Sequence, residues 1–256
     1  EFHASGSDYD SWRDVRGGFR ADWQLAGDRA ATVQGELYDG RLGELQSATT
    51  YTPPFSQITP VDAPLSGGDV LARVSGHTAS QSEYQLQAYY DRTNRDEMPV
   101  GENRDTADVD FQQTVHWGER HTPTWGAGYR ITSGRITATG TSAFTPETRT
   151  DNLVSAFLQD EIVLVPQRWR LTLGSKFEHN DYSGFEAQPT ARVLWTPGTV
   201  HTVWAAVTRA VRTPSRVETD YTTASLVSAA PVPTFVQLLP NPDFDSEKLL
   251  AYEAGY

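Results

Sequence analysis

The chain has 256 residues, of which 38% are hydrophobic and 11% aromatic, and its formal net charge is −12. This length accommodates one large all-β unit or two smaller domains. The lack of cysteine excludes a disulfide scaffold and thiolate metal sites, and the negative charge argues against a nucleic-acid partner. No apolar run in the sequence reaches the ~18 residues of a transmembrane helix, although a transmembrane β-barrel with a polar lumen stays possible.

Apolar and polar residues alternate along most of the chain, which indicates β-strands with two different faces. Near the N-terminus, Phe19, Ala21, Trp23 and Leu25 lie on one face of such a strand. No helical periodicity of useful length competes with this pattern. The alternation predicts about eleven strands, which span residues 11–25, 29–39, 69–76, 83–91, 106–117, 124–131, 152–164, 168–179, 187–196, 201–211 and 248–256.

Short and long connections alternate between these predicted strands. Tight links, such as residues 26–28 and 165–167, are followed by links rich in Pro, Ser, Thr and Gly. This order is typical of an up-and-down meander with turns at one rim and loops at the other, as in outer-membrane barrels, whereas a Greek-key sandwich would mix the two kinds. The longer links are predicted at residues 40–68, 92–105, 132–151, 180–186 and 212–247.

The faces of the predicted strands leave two fold classes open. In the hairpin at residues 157–181, Trp169, Leu171 and Leu173 alternate with polar residues, and this apolar face packs either on a soluble core or on lipid. Aromatic residues near strand ends, such as Trp117 and Trp195, favour a girdle at a lipid boundary, with a sandwich core as the alternative. Alternation places a second set of residues on the opposite, polar faces, which would face the lumen of a barrel: Arg170, Thr172, Lys176, Glu178, Arg192 and Arg209.

Three motifs lie between residues 155 and 256. Residues 155–197 combine a strand containing FLQDE, a tight turn and a strand ending in GSKFE. Residues 208–216 read TRAVRTPSR, and residues 240–256 read PNPDFDSEKLLAYEAGY. In this order the motifs resemble a mid-barrel hairpin, a segment before a long loop and a re-entering strand of TonB-dependent outer-membrane receptors. The first 150 residues match that family by their strand-and-loop pattern more than by motif.

The resemblance implies an all-β, antiparallel, up-and-down transmembrane β-barrel of the bacterial outer membrane, closed in the family by about 22 strands. It also implies uptake of a scarce ligand such as a ferric siderophore, with a plug domain in the lumen and energy coupled through the TonB complex. Neither the plug nor the TonB-binding segment is recognisable, and the chain opens at Glu1 without a signal peptide and stops at Tyr256 within a predicted strand. We therefore expect residues 1–256 to be a partial barrel domain that contacts its own plug, the TonB complex and outer-membrane lipid.

Ligand capture would fall to the long loops of such a receptor. Aromatic and arginine side chains suit a planar, anionic iron chelate, through stacking and through charge. For any single residue, an ordinary solvated loop position is the alternative. The candidate ligand-binding residues in the predicted loops are Tyr51, Phe55, Arg92, Arg95, Arg212, Arg216, Tyr221 and Phe235.

Catalytic and metal-binding patterns are absent from the sequence. It contains no nucleophile elbow, phosphate loop or zinc pattern, and Asp105, Asp108 and Asp110 miss the spacing of an EF-hand. Glu178 and His179 are neighbours in a strand and point to opposite faces, so they do not converge on one substrate. We predict a protein that is not an enzyme and has no cofactor or metal site. The competing hypothesis is a soluble β-rich domain that binds or hydrolyses glycans through its Trp and acidic residues.

Overall fold

The computed structural model describes residues 11–256, so the predictions made for the first ten residues lie outside the described part. Within these residues no helix is long and apolar enough to cross a membrane. The elements are β1 Trp12–Leu25, β2 Arg29–Thr49, β3 Ser56–His77, β4 Glu83–Arg95, β5 Val100–Thr114, β6 His121–Ala138, β7 Ala143–Phe144, β8 Thr148–Val165, β9 Trp169–Asn180, β10 Gly184–Trp195, β11 Val203–Arg212, α1 Arg216–Asp220, β12 Tyr221–Ser228, β13 Thr234–Leu238 and β14 Glu247–Gly255.

Eleven of these strands form one antiparallel sheet in the order β1-β2-β3-β4-β5-β6-β8-β9-β10-β11-β14. Each strand pairs with the next long strand along the chain, so the sheet is an up-and-down meander without a Greek-key crossover. The three short strands form a separate sheet in the order β13-β12-β7. The predicted all-β, antiparallel, up-and-down class is confirmed, and the described sheet is open because β1 and β14 are its two edges.

Cross-strand register gives the sheet one apolar and one polar face. Because directly opposed residues share a face, a row of paired residues can be followed from β1 to β10. On the apolar face one such row is Trp23, Ala31, Val74, Leu86, Phe111, Ala127, Ala156, Phe177 and Ala187. The adjacent row of the polar face is Asp22, Thr32, Arg73, Gln87, Asp110, Gly128, Ser155, Glu178 and Glu186.

The apolar face is not covered by protein in the described part of the chain. Few hydrophobic residues are buried in that part of the chain, and no large side chain is fully buried. On the apolar face, Phe19 is 59% exposed and Leu158 is 57% exposed. A sandwich would bury such side chains between two sheets. Residues 11–256 thus form one large sheet whose apolar face is not covered by a second layer, which is not the arrangement of a sandwich.

Two of the predicted long loops are mainly strand. The β2–β3 hairpin extends to a turn at residues 50–55 instead of opening at residue 40, and the β4–β5 link covers residues 96–99 instead of 92–105. The first of these errors arises because Pro60 and Pro64 indicate a loop when only the sequence is considered. β3 pairs with β4 only from Leu65 onward, so both prolines lie where β3 is an edge strand, and an edge tolerates a missing N–H.

The other predicted connections also differ in detail from the structure. The loop predicted at residues 132–151 is a shorter link at 139–147 that contains β7, and the loop predicted at 180–186 is a turn of residues 181–183. Residues 213–246 form a genuine long excursion, but it contains α1, β12 and β13. The predicted strand at 106–117 begins earlier and ends at Thr114, which leaves Trp117 in an isolated bridge with His121. The predicted alternation of short and long connections is therefore wrong in detail, because the β4–β5 link (96–99) and the β9–β10 turn (181–183) are shorter than the β10–β11 link (196–202) at the opposite rim. The rim that carries residues 213–246 and the tip of the β2–β3 hairpin is called the long-loop end below.

Candidate functional site

The longest excursion, residues 213–246, is fixed at its base by one arginine. Arg212 ends β11 and donates hydrogen bonds to Glu218 at 2.6 Å and to Glu247, the first residue of β14, at 2.7 Å. Glu218 also accepts a hydrogen bond from the backbone N–H of Ser215 at 2.8 Å, which caps the start of α1. The Arg212 hydrogen bond, followed by that of Ser215, lowers the pKa of the Glu218 carboxyl to about 2. Both ends of the excursion are thus bonded to the same guanidinium.

A buried polar network connects this excursion to β8 and to the β9–β10 turn. Asp220 is 6% exposed and accepts hydrogen bonds from Arg149 at 2.9 Å and from Arg216 at 3.1 Å. Arg149 also donates to Asp151 at 2.5 Å, and the hydroxyl of Tyr182 donates to Asp151 at 2.8 Å. Burial, together with the hydrogen bond to Asp151, raises the pKa of the Tyr182 hydroxyl. These ion pairs are hydrogen-bonded on several sides, which is the condition under which buried charges are tolerated.

The short sheet packs the excursion against the link at residues 139–147. Tyr221 of β12 pairs with Phe144 of β7, and the ring centroids of these two residues are 4.9 Å apart. The hydroxyl of Thr141 donates to the carbonyl oxygen of Ala224 at 2.6 Å. Phe144 and Ala224 are among the buried hydrophobic residues of the described chain. The apolar interior of the protein therefore lies at the long-loop end and orders two loops against each other.

An aromatic cluster lies where the excursion meets the tip of the β2–β3 hairpin. The ring of Phe235 in β13 is 5.1 Å from the ring of Tyr51 and 6.2 Å from that of Phe55. Tyr51 is 56% exposed, and Phe55 has a positive φ of 66°, which is uncommon for a bulky residue. The structure brings together these three predicted ligand-binding residues, which come from segments far apart in the sequence.

Of the other five predicted ligand-binding residues, four are bonded to or packed against other residues of the protein, and the fifth, Arg92, lies 3.6 Å from Asp105. Arg212 and Arg216 belong to the ion pairs described above, and Tyr221 stacks on Phe144. Arg95 donates to Glu97 at 2.8 Å from the last position of β4, so it lies in a strand and not in the predicted loop. Arg92 is also in β4, and its pairing with Gly68 and Asp105 places it on the apolar face, pointing away from Arg95.

The residues predicted to face a lumen pair mainly with each other or with strand neighbours. Arg170 lies 3.3 Å from Glu161, and Lys176 lies 2.8 Å from Glu178. Arg192 stacks over the ring of Trp204 at 4.9 Å from its centroid. By register, Arg170, Thr172, Lys176, Glu178 and Arg192 all belong to the polar face.

Arg209 does not follow the alternation that predicted its position. The pairing of β10 with β11 ends one residue before it, and counting along β11 places its Cβ on the apolar face. Its guanidinium nevertheless donates to the backbone carbonyl of Ala187 and lies 3.2 Å from Glu186, which belongs to the polar face. The side chain therefore reaches between the two strands where their pairing has stopped.

Sequence reasoning missed the network around Asp220. Arg149 and Asp151 alternate within β8, but their partners Tyr182 and Asp220 come from two other loops. No spacing in the sequence connects them. Within residues 11–256 no group of three or more His, Cys, Asp or Glu residues is arranged to hold an ion.

Comparison with known proteins identifies the family. The family model described as "TonB dependent receptor-like, beta-barrel" matches residues 2–256. The chain belongs to this family. Members of the family are receptors built on a β-barrel, and the two-faced meander described above agrees with part of such a barrel. No curated protein sequence matches the chain.

Solved receptors share the fold of this TonB-dependent receptor chain. The siderophore receptor PirA from Acinetobacter baumannii superposes with a TM-score of 0.71 at 14% identity, over 95% of this chain and 40% of PirA. A mutant ferric enterobactin receptor PfeA from Pseudomonas aeruginosa, in complex with enterobactin, gives 0.69 at 15% identity, over 95% and 40% of the two chains. The copper transporter OprC gives 0.58 at 14% identity, over 81% and 38%. The chain thus spans less than half the length of these receptors, and the likeness shows the fold alone.

Proposed function

We propose that the receptor containing this chain takes up a scarce ligand, a ferric siderophore, across the bacterial outer membrane with energy coupled through the TonB complex. The apolar face then contacts outer-membrane lipid, and the polar face surrounds a lumen occupied by the receptor's own plug domain. The long-loop end faces the medium. The role is that of a transporter and not of an enzyme. Siderophore and copper transporters share the fold, so the choice of ligand needs an argument from this chain.

The aromatic cluster of Tyr51, Phe55 and Phe235 carries that argument. Its rings come from two loops, and stacking on them suits the flat, aromatic or conjugated groups by which many iron chelators hold the metal. Most of the candidate arginines are bonded to carboxylates, which makes stacking the main contribution and charge a minor one.

The function is tested by growth under iron limitation. A strain lacking the gene for the full receptor is supplied with single siderophores, and we expect growth on at least one of them to depend on the receptor. Equal growth with and without the receptor on every iron source would contradict the proposal and indicate another cargo. Outer-membrane placement is tested separately, because the receptor should migrate differently on gels after heating and should dissolve only in detergent.

The site is tested by replacing one ring of the cluster. Phe235→Ala removes the ring that contacts both Tyr51 and Phe55, and we expect uptake affinity to fall about threefold to tenfold. Phe185→Ala is the matched control. Phe185 is also exposed, but it lies on the apolar face of β10, where it pairs with His179 of β9. Equal uptake by the two variants would remove the cluster from the binding site.

A further inference from the structure

Three segments of the long-loop end contain no charged residue. They are residues 45–61 at the tip of the β2–β3 hairpin, residues 136–146 around β7, and residues 221–242, which include β12 and β13. These segments also contain no histidine. Charged residues make up 21% of the whole chain, so an even distribution would place some of them in each segment. The charged residues of the protein are therefore confined to its other parts.

The fold brings the three uncharged segments into contact with one another. The aromatic cluster described above joins the hairpin tip to residues 221–242. The hydrogen bond from Thr141 to the carbonyl oxygen of Ala224 joins residues 136–146 to the same excursion. The hairpin tip and residues 136–146 also meet, because a Cβ on Gly140 would lie 2.7 Å from the carbonyl oxygen of Thr49. We call residues 45–61, 136–146 and 221–242 together the uncharged cap.

Arginines at the border of the uncharged cap are bonded to carboxylates. Arg135 precedes residues 136–146 and donates a hydrogen bond to Glu147, which follows them, at 3.1 Å. Asp220 precedes residues 221–242 and accepts hydrogen bonds from Arg149 and Arg216. Because a neighbouring carboxylate offsets the charge of each guanidinium, these arginines add little positive potential to the cap.

The uncharged cap presents apolar side chains and hydroxyl groups to its surroundings. Ile58, Val227 and Val236 are mostly exposed, and exposed apolar residues that lie close together mark binding surfaces. Many other residues of the cap are Ser or Thr, whose hydroxyl groups donate or accept hydrogen bonds. Such a surface suits a neutral ligand. A multiply charged anion would lose hydration on it without gaining a cationic partner, which costs free energy.

We propose that the uncharged cap binds an uncharged ferric chelate of the tris-hydroxamate class and discriminates against anionic tris-catecholates. Each hydroxamate carries one negative charge, so three of them neutralise ferric iron, whereas three doubly charged catecholates leave a triply negative complex. The rings of the aromatic cluster pack on the body of the neutral chelate, and the hydroxyl groups of the cap bond to its oxygen atoms. The inference rests on the proposed function and names the class of siderophore. It replaces the anionic chelate that the loop arginines indicate when only the sequence is considered.

Variants of the full-length receptor place a charge beside the aromatic cluster. Thr52 is an exposed residue of the hairpin turn and follows Tyr51 directly. Thr52→Lys and Thr52→Glu introduce opposite charges there, and an exposed turn position tolerates both changes. Thr199→Lys is the matched control, because Thr199 is an exposed residue of the β10–β11 link at the opposite rim.

Isothermal titration calorimetry of the receptor in detergent measures the affinities. Ferrichrome and ferrioxamine E serve as neutral tris-hydroxamate chelates, and ferric enterobactin serves as the triply negative one. We expect wild type to bind at least one neutral chelate about tenfold tighter than ferric enterobactin, with little dependence on salt because no charge pair forms. Thr52→Lys should tighten the binding of ferric enterobactin by about threefold to tenfold, and Thr52→Glu should weaken it. Neither variant should change the affinity for the neutral chelate, and Thr199→Lys should change no affinity.

The possible outcomes separate this inference from the proposed function. Tighter binding of ferric enterobactin than of both neutral chelates by wild type would overturn the inference and leave siderophore uptake in place. An equal effect of Thr52→Lys and Thr199→Lys on the affinity for ferric enterobactin would also overturn it, because the cap would then not be the binding surface. Binding of none of the three chelates refutes the inference, and the growth assay described above then decides the proposed function separately.

Discussion

At the scale of single residues, charged side chains at the long-loop end form ion pairs that hold the loops in place. Asp220 bonds to two arginines, and Arg212 bonds to two glutamates. The guanidinium groups that the sequence offers as ligand contacts are therefore largely occupied by carboxylates. This division leaves the aromatic rings as the accessible groups of the proposed binding site, and it makes the ion pairs the features whose removal should loosen the loops.

Removal of Asp220 should open the excursion. In Asp220→Ala, Arg216 loses its carboxylate partner and Arg149 keeps only Asp151, and breaking a buried pair in this way costs about 3 kcal/mol. Arg216 has a side chain that is 14% exposed, so trypsin cleaves after it only when the segment opens. We expect cleavage there to become roughly a hundredfold faster. Asp243→Ala, an exposed residue of the same excursion, is the control, and equal cleavage rates in the two variants would contradict a structural role for Asp220.

The carboxyl of Glu218 should titrate unusually low. Its pKa falls from 4.5 to about 2, so its ion pair stabilises the folded loop fully above its unfolded pKa and is lost as the pH falls through about 2. Titration of carbon-13-labelled glutamate carboxyls by NMR measures this directly, with Glu218→Gln assigning the signal. In Arg212→Gln the midpoint should move up toward 4.5, and an unchanged midpoint would show that Arg212 is not the cause.

At the scale of elements, alternation predicted the existence, order and faces of the long strands, because period two is set by backbone geometry. It did not predict their ends. β2 and β3 continue far beyond the apolar rows, and there both faces are solvated, so no apolar pattern marks the strand. The partners of Arg149 and Asp220 were equally out of reach, since contacts between loops depend on tertiary packing and not on spacing. Alternation also failed to predict the position of Arg209, because its side chain crosses between β10 and β11 where these two strands no longer pair.

Close approach of backbones makes one glycine of the sheet indispensable. A Cβ on Gly126 would lie 2.5 Å from the carbonyl oxygen of Phe111 and against the ring of Phe157. Gly126→Val should therefore destabilise the full barrel by about 1–3 kcal/mol through overpacking, seen as a lower urea midpoint in detergent. Gly134→Val is the control in the same strand, because a Cβ there comes no closer than 3.2 Å to its nearest neighbour, the carbonyl oxygen of Asn103, and the midpoint should shift much less. A shift of equal size in both variants would mean that strand composition, and not contact, governs the effect.

At the scale of the whole molecule, the sheet depends on strands that complete a barrel. Its apolar face is exposed and its edge strands β1 and β14 carry unpaired backbone groups in the described part of the chain, which lipid does not satisfy. A polypeptide limited to these 256 residues should aggregate on refolding in detergent. The full-length receptor, refolded alongside, should give a species whose gel mobility changes on heating. A monodisperse species from the short polypeptide would contradict this expectation.

The bonding of Arg212 has a consequence for how such receptors diversify. Because one guanidinium fixes both Glu218 and Glu247, the chain between them leaves and re-enters the sheet at a constant separation. The entropy of closing a loop rises only slowly with its length, so the part of that stretch beyond the contacts of β12 with residues 139–147 can be lengthened or shortened at little cost to the sheet. Changes in that part leave the two strands that carry the loop in place.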